Sequence, residues 1–344
     1  MTDPQAQRPE HFERFDEVVD TASALYPEAK FVVTAGDHVD SGTNVKHWRY
    51  LLNTADKLLD LPVMPTTGNH EEEGAVITEN FVLPNVPEQE LDSGVYYSYD
   101  YNGVHFTVLN TNDIVDDKLS DTQLEWLKND VKNSDAQWKI VVIHKSLYSN
   151  GSHYDDGDVE GLRKQLGALL PYLGVDLVLQ GHDHVYLRTD ALNANAVVPS
   201  KTETVTYDGL DYEMKIDPRG TIYSICGTSG VKIYNTKDVE ATDKSFPRAE
   251  AIVDSEYSMF SAITVEGNEL YYNAYQVVDG EAVRVDSFAL SKTKEAPADK
   301  IKNETLSDMI ADFLSDFNVS ALWKIVNFVL DVFGKVFSLI SKAF

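Results

Sequence analysis

From Glu10 to Ala29 the chain is helix-compatible, and it runs into KFVVTAGDH, whose Lys30–Ala35 portion reads as a buried strand opening into a loop. The pattern then repeats. Helix-like TNVKHWRYLLNTADKLL precedes LPVMPTTGNHE, another strand with polar residues at its end. QWKIVVIHKS and VDLVLQGHDH match it, with helix-like GDVEGLRKQLGALLPYL between them. This alternation predicts α/β organisation in the first half of the chain. The polar clusters fall at successive strand ends, where α/β proteins build their sites.

Other stretches follow a period of two. Gly94–Asn112 alternates aromatic and polar residues around Asn102-Gly103 and predicts an antiparallel hairpin. Arg219–Tyr234 and Phe260–Leu290 are β-rich, the latter with turns at Gly267-Asn268 and Asp279-Gly280. The expected fold is therefore mixed α/β. At Ser291 the composition changes to SKTKEAPADKIKNE, and helical periodicity resumes beyond it. The expected organisation is a body over 1–292, a polar linker over 293–304 and an amphipathic helical tail over 305–344. In the tail, Leu306, Ile310, Phe313, Leu314 and Phe317 share one face, and a break at Asn318 and Ser320 makes two helices. Three readings stay open for these C-terminal helices: packing on the body, self-association, or contact with a membrane surface.

Composition narrows the function. With 29 basic and 56 acidic residues, the net charge of -27 disfavours a generic nucleic-acid-binding surface, because little neutralises phosphate. A small anionic substrate remains compatible where local cations, metals included, override the global field. Cys226 is the one cysteine, which excludes an internal disulfide and a cysteine-cluster metal site. MTDPQAQRPE is no secretory leader, and no stretch reaches the roughly 20 apolar residues of a spanning helix. The chain as given reads as soluble; an extracellular or cell-surface parent is the expectation if an export segment was removed.

The chemistry lies in four clusters: GDHVD at Gly36–Asp40, GNHE at Gly68–Glu71, IHKS at Ile143–Ser146 and GHDH at Gly181–His184. Asp37, Asn69, His144, His182 and His184 make a mixed nitrogen and oxygen donor set, suited to Mn, Fe or Zn rather than calcium. One Asp37 carboxylate can bridge two ions roughly 3.5–4 Å apart.

Together with Asp3 in TDPQ, these clusters resemble the calcineurin-like metallophosphoesterase superfamily, and within it the purple-acid-phosphatase-like enzymes. The resemblance covers Asp3 to His184. It implies a four-layer α/β/β/α sandwich of two mixed sheets flanked by helices, and two divalent or trivalent transition-metal ions. Asp3 and His184 would hold the first ion, Asn69, His144 and His182 the second, and Asp37 both. His70 would be the histidine beside the substrate. The implied activity is phosphoester hydrolysis by in-line attack of metal-activated water or hydroxide on a small monoester or diester. A catalytically weak or inactive binding protein of the same fold is the alternative.

Three departures bear on this. The family commonly has His where Gln5 stands, which makes Gln5 a candidate additional ligand of weaker donor power. Purple acid phosphatases carry Tyr where Asp40 stands. GDHVDSG instead resembles the protein serine/threonine phosphatases, so Asp40 has two roles open to it, orienting His70 or ligating an ion. In the family an apolar strand leads into the first Asp, whereas Met1 and Thr2 alone precede Asp3 here. Beyond the ligands, His153 in the loop after His144 is a candidate substrate-facing residue against an ordinary surface histidine, and Tyr148 and Asn150 are candidates for the same entrance. Gly227, Ser229 and Gly230 read as a tight turn.

Overall fold

The computed structural model describes residues 1–71, 75–90, 92–236 and 249–293. The expected tail, and the linker beyond Thr293, lie outside the described residues. Among those described, no helix is long and apolar enough to cross a membrane.

Helix Pro9–Leu25 opens with proline in its first turn and buries Phe12, Phe15, Val18 and Val19 along one stripe. It stops short of the expected Ala29 because Pro27 disfavours helix at the residue before it. In helix Val45–Thr54, Asn44 caps the start by accepting from the Lys46 N–H. The pattern expected to continue it instead forms a separate tight turn, Asp56–Asp60. Helix Asp121–Asn133, capped by Ser120, was not anticipated. Helix Gly157–Leu166 is followed by the short Leu169–Tyr172.

Seven strands form the first sheet, in the order Ala249–Val253, Tyr186–Thr189, Ile222–Cys226, Leu177–Gln180, Trp138–Val142, Val104–Val108, Tyr97–Tyr101. Its four central neighbours run parallel and its flanks antiparallel. The expected hairpin is Tyr97–Tyr101 with Val104–Val108, turning on Asn102 and Gly103, both at positive φ. The second sheet has five strands, in the order Lys201–Tyr207, Leu210–Ile216, Glu281–Ser291, Glu269–Val278, Met259–Glu266. It too is mixed, since Leu210–Ile216 pairs parallel to Glu281–Ser291. Strands Val32–Thr34 and Val63–Pro65 pair parallel as a separate ribbon.

Alternation along the strands sorts side chains into layers. Trp138, Ile140 and Val142 join Leu270, Tyr272, Phe288 and Leu290 in the core shared by the two sheets. Val141 and Ile143 face the other way and pack with Leu127, Val131, Leu162 and Leu166 of the helices. On the opposite side, Val18 of the first helix packs on Phe260, Tyr275 and Val277 of the second sheet. In the ribbon, Phe31, Val33 and Met64 pack on the intersheet core, while Val32 and Val63 pack on the cluster of Phe12, Phe15 and Trp48. The layers are helix, sheet, sheet, helix. The polar clusters all follow the carboxyl ends of the strands that precede them.

Candidate metal centre

Each strand-end loop is bent sharply, and at four of the expected ligands by the ligand itself. Asp3, Asp37, His182 and His184 have φ of 53°, 52°, 74° and 50°. Left-handed backbone costs energy for a non-glycine residue and clusters at functional sites. Glycines allow the loops to close on one another. A Cβ on Gly68 would stand 2.1 Å from Asp37 Oδ1, and one on Gly36, itself at φ +94°, 2.6 Å from His144 Nδ1. The buried Glu71 carboxylate accepts from the backbone N–H groups of Gly68 (2.6 Å), Asp37 (3.0 Å) and His38 (2.8 Å), pinning the Asp37 and Asn69 loops together.

The segment carrying Asp3 is tied in from both sides. The Met1 amino group donates to Val33 O at 3.1 Å, and Ala35 N–H donates to Met1 O at 3.0 Å. Across the way, Ser229 N–H donates to Thr2 O at 2.8 Å and Thr228 Oγ1 donates to Asp3 O at 2.8 Å. A Cβ on Gly230 would meet Pro4 Cα at 2.9 Å. The glycine-rich turn after Ile222–Cys226 is thus a cradle for the first carboxylate.

Donor atoms gather in two groups that share Asp37. Asp3, Asp37 and His184 each place an atom within 4.8 Å of the others, and so do Asp37, His144 and His182. Asp3 Oδ1 lies 3.5 Å from His184 Nε2, and its carboxylate accepts the His182 backbone N–H at 3.0 and 3.1 Å. His144 donates its Nδ1–H to Ala35 O at 2.8 Å, so Nε2 faces Asn69 Oδ1 at 3.0 Å and Asp37 Oδ1 at 3.4 Å. His184 Nδ1 likewise donates to the Lys232 carbonyl. Such bonds to backbone carbonyls fix the tautomer that leaves Nε2 as a lone pair for a metal. Three lone-pair atoms meeting at His144 Nε2 need a cation, or a proton, between them.

The electrostatics point the same way. Burial pushes the Asp3 carboxyl up to about 7. At Asp37 burial is outweighed by the neighbouring His144 charge, and the carboxyl is held below its ordinary range. Burial opposes charge on His144, yet Asp37 and Asp3 raise it to about 9. Burial lowers His184 to about 4 and takes His182 well below its ordinary value. A proton on Asp3 and one on His144 thus relieve a cluster of carboxylates and bare imidazoles. Buried Gln5 presents an Oε1 with no hydrogen-bond partner. The donor chemistry fits a metal centre: Asp3 and His184 form one group, His144 and His182 the other, Asp37 belongs to both, and Asn69 Oδ1 faces His144 Nε2, while Gln5 would be a candidate further oxygen.

The other expected site residues divide. His70 is brought to the centre, its backbone N–H donating to Asp37 Oδ1 at 2.9 Å and its Nδ1 to the Asp40 carbonyl at 2.8 Å. Asp40 does hold the His70 ring, through its backbone carbonyl and not its carboxylate. The carboxylate oxygens are engaged by Lys232 Nζ at 2.6 Å and Gln7 Nε2 at 2.5 Å. His153 reaches the rim, its ring 4.1 Å from that of His182 and its Nδ1 donating to Asp156 Oδ2 at 2.8 Å. These three residues form another potential ligand group, which shares His182 with the second. Tyr148 is corrected: it is buried in the helix-side core against Tyr223, and its hydroxyl donates to Ala194 O at 2.8 Å. Asn150 is buried beside the His153 loop, with both amide atoms lacking a hydrogen-bond partner.

Sequence reasoning missed Lys232 and Tyr234. Tyr234 stacks on His184 with ring centroids 4.2 Å apart and planes 4° from parallel. It also missed Lys145, next to His144 and paired with Asp158 at 2.6 Å. The signal for the first two was the glycine-rich turn just ahead of them. A cavity of about 440 Å³ between Val32–Thr34 and Met259–Glu266 is no rival site: Phe31, Val33, Phe260, Ile263 and Tyr272 line it, and no histidine does.

The family model for calcineurin-like phosphoesterases matches residues 1–186. Purple acid phosphatase 23 of Arabidopsis thaliana is 28% identical over 211 residues, 58% of this chain and 39% of the relative. Purple acid phosphatase 18 of the same plant is 38% identical over 143 residues, 38% of this chain and 32% of the relative. The matched part therefore spans about a third to two-fifths of these curated relatives. Among solved structures, a purple acid phosphatase from yellow lupin (Lupinus luteus) seeds shares the fold. Its TM-score is 0.68 at 18% identity, over 89% of this chain and 56% of that one. GAP50 of Plasmodium, described as the anchor in the inner membrane complex, aligns with TM-score 0.53 at 13% identity, over 90% and 92%. With the strand-end ligand set and the family match over more than half of its length, the chain belongs to the calcineurin-like phosphoesterase family, on its purple-acid-phosphatase branch.

Proposed function

We propose that the chain is a binuclear metal-dependent hydrolase of small phosphoesters. The observation that carries this is Asp37, buried and shared by two groups of potential ligands, His144 and His182 in one and Asp3 and His184 in the other. Two ions held there would activate a water and neutralise charge on the phosphoryl group. The remaining work falls to the chain. Asp37 accepts the His70 backbone N–H and so fixes the loop beside the ions. The Asp40 carbonyl takes His70 Nδ1–H, which leaves Nε2 as the free ring atom; in the imidazolium form Nε2 carries the second proton and can give it to the departing oxygen, returning the ring to its neutral Nδ1–H form. His153, whose ring lies 4.1 Å from that of His182, would be the side chain to meet phosphate oxygens, with Lys145 beside His144 adding positive charge nearby. The net charge of -27 favours a small substrate over a polyanionic nucleic acid.

His70→Ala tests the acid role. It is expected to slow alkyl phosphates by roughly 100–10,000-fold, the usual worth of a general acid, and activated nitrophenyl esters far less, with bound metal retained. Equal losses on both substrates, together with loss of the second ion, would move His70 into the metal scaffold. A second reading, a fold kept for binding with little turnover, is favoured by one feature, glutamine at position 5 in place of the family's histidine.

A further inference from the structure

The rings of His70 and His184 are each held through Nδ1 by a backbone carbonyl, and the two residues that own those carbonyls are ion-paired. Asp40 O accepts from His70 Nδ1 at 2.8 Å, and Lys232 O accepts from His184 Nδ1. Lys232 Nζ lies 2.6 Å from Asp40 Oδ1, although the residues are 192 apart in sequence. On the other Asp40 oxygen, Gln7 Nε2 at 2.5 Å brings in the segment that follows Asp3 and Gln5. Side-chain exposures of 34% and 17% for Lys232 and Asp40 put the pair at the rim, shielded enough to hold a defined geometry. Tyr234, two residues on from Lys232, stacks on the His184 ring and reinforces the same wall.

We infer that Lys232 is a positioning residue. Its ion pair with Asp40 latches the loop after Ile222–Cys226 to the loop after Val32–Thr34, and so sets the proton-donating histidine in register with the first-ion histidine. A carbonyl fixes an imidazole only as firmly as its own loop is fixed. Residues 231–236 form no strand, and the link from this loop to the Asp37–Asp40 loop runs through the ammonium group. The latch uses Asp40, at the position where the resemblance expects a tyrosine. It depends on the proposed hydrolase reading for its use, but not for its existence.

The test is therefore read first without metal or substrate. In protein carrying ¹⁵N-labelled histidine, the Nδ1–H protons of His70 and His184 are expected to exchange slowly with water. In Lys232→Met, exchange at His70 is expected to quicken by about ten-fold or more, although the substitution is made on the other loop. Asp40→Asn is expected to do the same at His184, and the double variant to go little further than either single one, as in a coupled pair. Lys232→Arg, which keeps the charge, is expected to restore slow exchange and controls for misfolding. Unchanged exchange at His70 in Lys232→Met, or losses that multiply in the double variant, would overturn the latch.

The metal-loaded arm separates this from the function itself. Lys232→Met is expected to lower kcat for alkyl phosphates about ten-fold with KM little changed, as for an interaction made only in the transition state. A raised KM with kcat intact would make Lys232 a direct phosphate contact and overturn the positioning role. Parent protein that hydrolyses no phosphoester would defeat the hydrolase reading while the exchange coupling still stood. Active parent protein without the coupling would defeat the latch alone.

Discussion

The two halves of the centre are built differently. The second half, Asn69, His144 and His182, stands on strand-end loops: Glu71 pins the Asn69 loop locally through Gly68, and Ala35, 109 residues away, holds the His144 ring. The first half draws on still more distant parts of the chain. Asp3 accepts from the His182 backbone 179 residues away, and its own carbonyl is held by Thr228, 225 residues away. His184 depends on the carbonyl of Lys232 and the ring of Tyr234. Of the potential donors, the second half offers two imidazoles and the Asn69 oxygen, whereas the first offers a buried carboxyl and one imidazole, with Gln5 the expected weaker addition. The first half is therefore expected to loosen sooner when long-range contacts fail, and metal occupancy is expected to respond there first.

The largest effect is expected at the residue the halves share. Asp37→Asn should cost well beyond the roughly 10–100-fold of losing an outer hydrogen bond, with both ions lost on elemental analysis. His182→Ala should lose the second ion and keep the first, and His184→Ala the reverse. Loss of both ions from either histidine variant would show the halves to be one cooperative site and break the distinction.

A smaller effect is expected from pH in the metal-free protein. His144, raised to about 9, keeps its proton in the folded state after the unfolded chain has released it near 6.5, so its stabilisation fades as pH rises from 6.5 through 9. Asp3, raised to about 7, acts in the same direction from about 4 up to 7. His184, lowered to about 4, opposes them, but only below 6.5. Thermal melts should therefore show Tm falling between pH 6.5 and 9, and bound Zn or Mn should flatten the fall. A Tm that rises over this window without metal would contradict the assignment of protons to Asp3 and His144.

The smallest change should come from Gln5→His, which supplies the family's imidazole to the weaker half. First-ion affinity is expected to rise several-fold with the second unchanged, read by competition with a metal indicator. A change confined to the second ion would mean that Gln5 does not face the first.

Three positions of the candidate centre were legible in the sequence because each follows an apolar run that reads as a buried strand, whereas Asp3 has no such run before it. Asp37 follows FVVTAG, His144 follows IVVI and His182 follows LVLQG. Hairpins were legible where a turn pair showed, as at Asn102-Gly103. The same signal at Asp208-Gly209 joins Lys201–Tyr207 to Leu210–Ile216 and went unread because the flanking strands are polar and exposed. Tyr148 was misplaced because sequence proximity to His144 does not say which face of the sheet a loop side chain takes, and its ring has Tyr223 to pack on. Asp40 was read by analogy with a side-chain role. Its side-chain partners are Gln7 and Lys232, the latter in the half-buried VKIYN stretch, and no local pattern joins positions so far apart. What a strand ends with can be read along the chain, whereas which loops lean on each other depends on the packed fold.

Metal content and turnover measured on the same samples bear most directly on the central claim. Protein stripped of metal and verified by elemental analysis should lose hydrolysis of a nitrophenyl phosphate. Titration with Mn, Zn or Fe should restore it as occupancy approaches two ions per chain, while Asp37→Asn stays inactive throughout. Undiminished turnover in the verified metal-free protein, or full activity in Asp37→Asn, would contradict the account.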